Sequence, residues 1–175
     1  VSYPCNIMLV AAMNPCPCGN YGNPNKPCVC TPSQVHRYRS RISGPLLDRI
    51  DIQVEMPEVR YDELSSRSNG ESSAVIRERV RAAREFAKER NDAFGIHSNA
   101  QMTSTQIRKC CTLNDGAKKL LKDAFDKMGL SARGYDRIQR VARSVADIDK
   151  SEIITEYHMA VAINMRSLDR KYWHS

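Results

Sequence analysis

The residues best placed to do chemistry are four cysteines in "NPCPCGNYGNPNKPCVC". They form two Cys-x-Cys pairs, Cys16/Cys18 and Cys28/Cys30, with nine residues between the pairs. Two close cysteine pairs joined by a loop are what tetrahedral thiolate coordination of Zn²⁺ requires, although one intervening residue per pair is tighter than usual. Pro17 inside the first pair and Gly19 after it suit a sharply turned backbone. Four bare thiols in a surface loop would oxidise readily, so the four cysteines are read as ligands of one Zn²⁺. A site of four thiolates leaves no open coordination position, which makes it structural rather than catalytic.

Arginine supplies the second chemistry. At 100° per residue, Arg133, Arg137 and Arg140 share one narrow helical face, opposite Ile138, Val141, Ala142 and Val145. Arg133 opens that helix, where free backbone N–H groups also favour phosphate. Arg140 and Arg143 read better as solvated basic surface. A further stripe, Arg77, Arg81, Arg84 and Lys88, runs along a second helix. The net charge is +7, from 27 basic and 20 acidic residues, and four thiolates with Zn²⁺ would lower it by about two. Such a surplus permits nucleic acid or nucleotide phosphates as partners without requiring them.

The elements that must position these groups follow from local signals. "NIMLVAAM" is a short apolar run ending at Asn14-Pro15, which predicts a buried strand. In "TPSQVHRYRSRI", Thr31 is the expected N-cap, Pro32 the first helical residue and Gln34 the partner in a capping box. "IDIQVEM" alternates, with Ile50, Ile52, Val54 and Met56 on one face, and predicts a second strand ended by Pro57. Residues 58–73 are polar and loop-like. A long helix follows from about Ser73 to Phe94, with Val75, Ile76, Val80, Ala83, Phe86 and Ala87 on one side. Thr103 and Gln106 open a short helix. Asn114 caps a helix that Gly129 stops. Two more helices cover "SARGYDRIQRVARSVADID" and about Thr155 to Met165.

Seven cysteines are an odd number, and four of them are clustered. The opening "VSYPCNIMLVAAMNPC" has no basic leader before its apolar run, unlike a signal peptide. Reduced cytosolic thiols fit this pattern better than a disulfide framework. Cys5, Cys110 and Cys111 are expected as small buried apolar residues. No run of about 18 apolar residues occurs, so no transmembrane helix is expected. The strand-like run starts almost at once, which reads as a piece of a longer chain.

Three stretches together, "LVAAMNPCPCG", "CVCTPSQVHRYRSRISGPLLDRIDI" and "LSARGYDRIQRVARSVADID", resemble the magnesium-chelatase-like AAA+ ATPases of bacteria, the ComM type. The resemblance covers nearly the whole chain and is loosest at residues 58–72. It implies an α/β AAA+ core remnant, the end of a sheet, over residues 1–57, with the paired cysteines as a characteristic insertion. An all-α helical lid over residues 58–175 would follow. Asn14, at the end of the first expected strand, matches the sensor 1 position, where an amide orients the attacking water. Arg49 in "GPLLDRID" matches the arginine finger. Arg133 resembles sensor 2, the lid arginine that contacts nucleotide phosphates, and Arg137 is the second choice for that contact.

The chain contains no G-x-x-x-x-G-K-[ST] phosphate loop and no apolar strand ending in Asp-Glu for Mg²⁺. Family members carry both upstream of the sensor 1 strand. The resemblance therefore implies a full-length, cytoplasmic ATPase that uses ATP and Mg²⁺, with this segment inactive alone. It also implies a ring of identical subunits, as a hexamer, working on DNA as a helicase or in branch migration. The alternative from a different class is a zinc-braced nucleic-acid-binding module without ATPase role. Its surface would be the Arg77–Lys88 stripe together with Arg37, Arg39 and Arg41 around Tyr38.

Overall fold

A computed structural model describes residues 7–59 and 70–166. The chain packs as two units, Val1–Ser43 and Gly44–Ser175. The first holds the cysteine loop and helix α1 (Pro32–Arg39). The capping box forms as expected: the Gln34 amide donates to Thr31 Oγ1 at 3.3 Å and the Thr31 amide to Gln34 Oε1 at 2.9 Å.

The second unit begins with a single helical turn, α2 (Gly44–Leu47). It continues with α3 (Ser73–Asp92), a 3-10 turn at Asn99–Gln101, α4 (Ser104–Cys110), α5 (Asp115–Met128), α6 (Ala132–Ile148) and α7 (Glu156–Asn164). Side-chain caps start these helices where the sequence places them. Thr103 and Gln106 form a box on α4, Asn114 Oδ1 accepts from the Ala117 amide at 2.8 Å, and Ser131 Oγ accepts from the Gly134 amide at 3.0 Å. Gly129 ends α5 in the left-handed region at φ 58°, where a Cβ would be strained. None of these helices is long and apolar enough to cross a membrane.

Helix α6 is the hub. Ile138, Val141, Ala142 and Ala146 form its apolar stripe, buried against Met102, Ile107, Leu121, Ile154, Met159 and Ala162 from the 3-10 turn and from or beside the other short helices. The alanines let α7 come close, as dense core packing requires. Helix α3 joins through its C-terminal half, where Ala87 and Asn91 are buried. Its first turns depart from expectation: Val75, Ile76 and Val80 stay exposed because the core it packs on ends before them.

The two predicted strands do not form a sheet. Among the described residues the one β-pairing is an isolated parallel bridge, Leu113 to Ile154. Residues 7–13 and 50–56 join no ladder, and Val10 and Met56 are each 82% exposed. An α/β core with the end of a sheet is thus corrected to a mostly helical structure. The physical reason is that a strand satisfies its backbone only through a neighbouring strand, and no described segment pairs with either run.

A second correction concerns Arg143. Its position on the helix surface pattern reads as solvated, yet it is fully buried. Its Nε donates to Asp147 at 3.0 Å, and its other nitrogens reach the Ser151 and Glu152 carbonyls. Arg90 grips the same carboxylate with two bonds of 2.9 and 2.7 Å, and Asn99 adds a third donor at 2.7 Å. Asp147 thus pairs with two guanidinium groups inside the unit and offsets one of their two positive charges. Removing one partner of a buried ion pair leaves charge uncompensated, at a cost of about 3–5 kcal/mol. Asp147→Ala is therefore expected to lose that much unfolding free energy in urea titration; a change below 1 kcal/mol would contradict the network's role.

Candidate functional site

The cysteine loop is shaped by local geometry. The Gly19 amide donates to the Cys16 carbonyl at 3.0 Å, closing a tight turn around Pro17 and Cys18. Gly19 itself sits at φ 81°, a conformation that L side chains rarely adopt. Cys28 and Cys30 return along the second limb, and Cys30 directly precedes the N-cap Thr31 of α1. Helix α1 then braces the loop: Arg39 is nearly buried, donates from Nε to the Pro15 carbonyl at 3.1 Å and lies 4.3 Å over the Tyr21 ring. The bracing role of Arg39 was not legible in the sequence, where it is one of several basic residues beside Tyr38.

All four ligand sulfurs lie within 4.8 Å of one another. Cys16 and Cys18 are 3.4 Å apart, Cys18 and Cys28 3.6 Å, and Cys16 and Cys28 3.7 Å. Four sulfurs held tetrahedrally about 2.3 Å from Zn²⁺ would be about 3.8 Å apart, so the arrangement fits that ion. The cysteines are free thiols. Hydrogen bonds from the Asn20 and Val29 backbone hold Cys18 down to about 6, while partial burial pushes Cys30 up to about 12. The loop thus stabilises a first thiolate and resists gathering more negative charge, which a divalent cation would relieve. This donor set could hold a metal.

The arginine positions fall on the helical unit. Residues 48–53 follow α2 without regular structure and are gripped by α6 and the end of α7. Ser131 Oγ donates to Asp48 Oδ2 at 2.9 Å. Arg137 Nη1 donates to the Arg49 carbonyl and to Asp51 Oδ1, the latter at 2.6 Å. Arg166, 1% exposed, donates to the Ile50 carbonyl at 3.0 Å and reaches Asp48 at 3.4 Å. The Gln53 amide donates to the Met165 carbonyl at 2.7 Å.

Arg49 itself is exposed, with one long bond from Nη1 to the Pro45 carbonyl at 3.4 Å. Arg133, second residue of α6, is exposed. Arg49, Arg133 and Arg137 are therefore brought to one locality, the first two exposed and the third engaged with the Arg49 segment. Asn14 lies in the other unit, exposed and close to Gly19. Arg166 and Ser131 carried no distinguishing sequence signal. Arg166 follows an apolar helix, and Ser131 is recognisable only as a cap.

One unit thus presents arginines from a docked loop and a helix start, and the other holds four cysteine sulfurs that could bind a metal. Residues 70–166 match the family model "Magnesium chelatase, subunit ChlI C-terminal", and residues 1–64 match "Magnesium chelatase, subunit ChlI". The chain belongs to this magnesium chelatase-like family. It is 43% identical over 176 residues to the protein YifB of Escherichia coli (strain K12), covering 99% of this chain and 33% of that relative. It is 39% identical over 172 residues to competence protein ComM of Haemophilus influenzae, covering 97% of this chain and 32% of that protein. The chain thus spans about a third of the length of these relatives.

Proposed function

We propose that this chain is the sensor, arginine-finger and lid portion of a ring-forming AAA+ ATPase that remodels DNA. The observation that carries the reading is the pairing of Arg49 and Arg133 on one unit, each with a guanidinium open to solvent, through the Asp48–Ser131 bond. In this reading Arg133 contacts the phosphates of bound ATP from the start of α6, where unpaired N–H groups add to the attraction. Arg49 offsets negative charge that develops as the γ-phosphoryl group transfers. Asn14 orients the attacking water. Mg²⁺, held by upstream residues, would neutralise the β- and γ-oxygens. The Cys16/Cys18/Cys28/Cys30 site holds Zn²⁺ as a brace. The name of the ComM relative points to competence, which supports DNA as the substrate in this reading; the assembly it proposes is a hexameric ring.

The test is nucleotide binding to the full-length protein. Arg133→Ala should weaken ATP binding by about 1.5–3 kcal/mol for a lost charged contact, read by titration with a fluorescent ATP analogue. The isolated 175-residue chain should show no turnover, because it has no phosphate loop to cradle the nucleotide. Steady ATP hydrolysis by that chain, unaffected by Arg133→Ala, would overturn the assignment.

One observation favours the second reading, direct nucleic-acid contact by the cysteine unit. Residues 1–43 contain the exposed Lys26, Arg37 and Arg41, with Arg39 buried against the loop instead of on the expected basic surface, and no Asp or Glu, although the whole chain carries 20 acidic residues. A phosphate backbone would meet no carboxylate there. Retained DNA binding with the steep salt dependence of phosphate contacts, in a protein lacking all ATP turnover, would favour it.

A further inference from the structure

The Arg49 segment is attached to the helical unit more firmly than an exposed loop needs to be. Residues 48–53 contribute two carboxylates, two carbonyls and one amide to bonds with α6 or the end of α7. The grips fall on both sides of Arg133. Ser131 lies two residues before it, and Arg137 lies one turn after it. Ser131 Oγ serves twice, accepting from the Gly134 amide to cap α6 and donating to Asp48. The start of α6 cannot shift without drawing on Asp48. Arg137 Nη1 holds a backbone carbonyl and a side-chain carboxylate of the same segment, and its side chain is only 18% exposed. A planar guanidinium carries several donors in fixed directions, so it can fix the direction of a peptide group as well as its position. Its Nη1 is engaged on the segment itself.

We infer that Arg137 is a positioning residue that locks the Arg49 segment to the start of α6, so that Arg49 and Arg133 move as one body. This rests on the reading of Arg49 as the finger and Arg133 as a phosphate contact. Its consequence is regulatory. A phosphate that draws Arg133 reorients α6, and the Arg137 and Ser131 grips carry that movement into the backbone of Arg49. Nucleotide occupancy thereby sets the aim of the finger. Arg137 touches no substrate in this scheme and acts through the Arg49 peptide.

The experiment uses the full-length protein and two readouts. The first is hydrogen exchange at the Gln53 amide, which the clamp holds against the Met165 carbonyl. Arg137→Ala should exchange that amide faster, and Asp51→Asn should do so to a smaller degree with little risk to folding. Unchanged protection in both variants overturns the clamp whatever the kinetics are. The second readout is ATP turnover. Displacing a reacting group by about 1 Å can cost 10²-fold, so Arg137→Ala should lower kcat by about that factor with KM for ATP unaltered. The Arg49→Ala/Arg137→Ala double variant should be no slower than Arg49→Ala alone, since Arg137 has nothing left to position. A rise in KM with Arg137→Ala, or losses that multiply in the double variant, would instead make Arg137 a direct nucleotide contact and overturn the inference. If Arg49→Ala alone keeps full turnover, the finger reading fails. The exchange data then still decide whether the clamp exists.

Discussion

In the full-length protein, Arg49→Ala is expected to reduce ATP turnover by about 10³–10⁵, the range measured for arginine fingers, while ATP affinity stays unchanged. The split follows from where the charge develops. A finger meets little extra negative charge in the ground state, and its interaction strengthens only as the phosphoryl group transfers. The local structure is suited to this role. Arg49 is exposed, and among the described residues its side chain makes one long bond, to the Pro45 carbonyl. The adjacent carbonyls and carboxylates are all tied down. The reaching group is free while its base is fixed. Mixed rings sharpen the test. When Arg49→Ala subunits are mixed with a variant lacking a working phosphate loop, some interfaces combine an intact loop with an intact finger, and partial turnover should return. Absence of rescue would mean that Arg49 serves its own subunit. Normal turnover with loss of DNA affinity alone would assign Arg49 to a binding surface, and the nucleic-acid module would take first place.

The helices of this chain could be read from sequence because their signals are local. Thr31 with Gln34, Thr103 with Gln106, Asn114 and Gly129 each act within one turn, and each is found where expected. The four cysteines were equally legible, since ligand type and spacing suffice to propose a metal set. The strands failed for the opposite reason. The apolar run before Asn14 and the alternation from Ile50 to Met56 describe a face, not the partner that face needs, and no described segment supplies one. Buried arginine was also invisible. Arg143 and Arg166 sit in the sequence like any surface arginine, and their burial depends on Asp147 in one case and on Asp48 and the Ile50 carbonyl in the other. Asp147 lies only one turn from Arg143, but its other partners, Arg90 and Asn99, are distant in the chain, as Ile50 and Asp48 are from Arg166, and such contacts leave no periodicity to read.

Removal of metal from the cysteine loop is the other change expected to have a large effect, and it should be confined to one unit. Among the described residues before Ser43, only Cys16 and Val35 are buried apolar side chains. Ordering each residue's backbone costs about 1–2 kcal/mol, so two buried side chains cannot hold this segment folded. A structural zinc ion contributes an apparent 10–16 kcal/mol in small domains of this kind, enough to decide the state of the whole loop. The helical unit has its own core around Ile138, Ala142, Leu121 and Met159 and does not depend on that ion. Protein purified without added metal should therefore contain one zinc per chain by elemental analysis. Chelation, or Cys16→Ser, should release it. Amides of residues 15–42 should then lose protection from hydrogen exchange, while those of α5, α6 and α7 keep theirs. Far-ultraviolet circular dichroism should barely change, because α1 is the one helix of eight residues or more at stake. A zinc content near zero with all four thiols freely titratable, or a loop that stays protected after chelation, would show that the sulfurs gather for another reason. The Arg39 bracing of Pro15 and Tyr21 would then have to hold the loop alone.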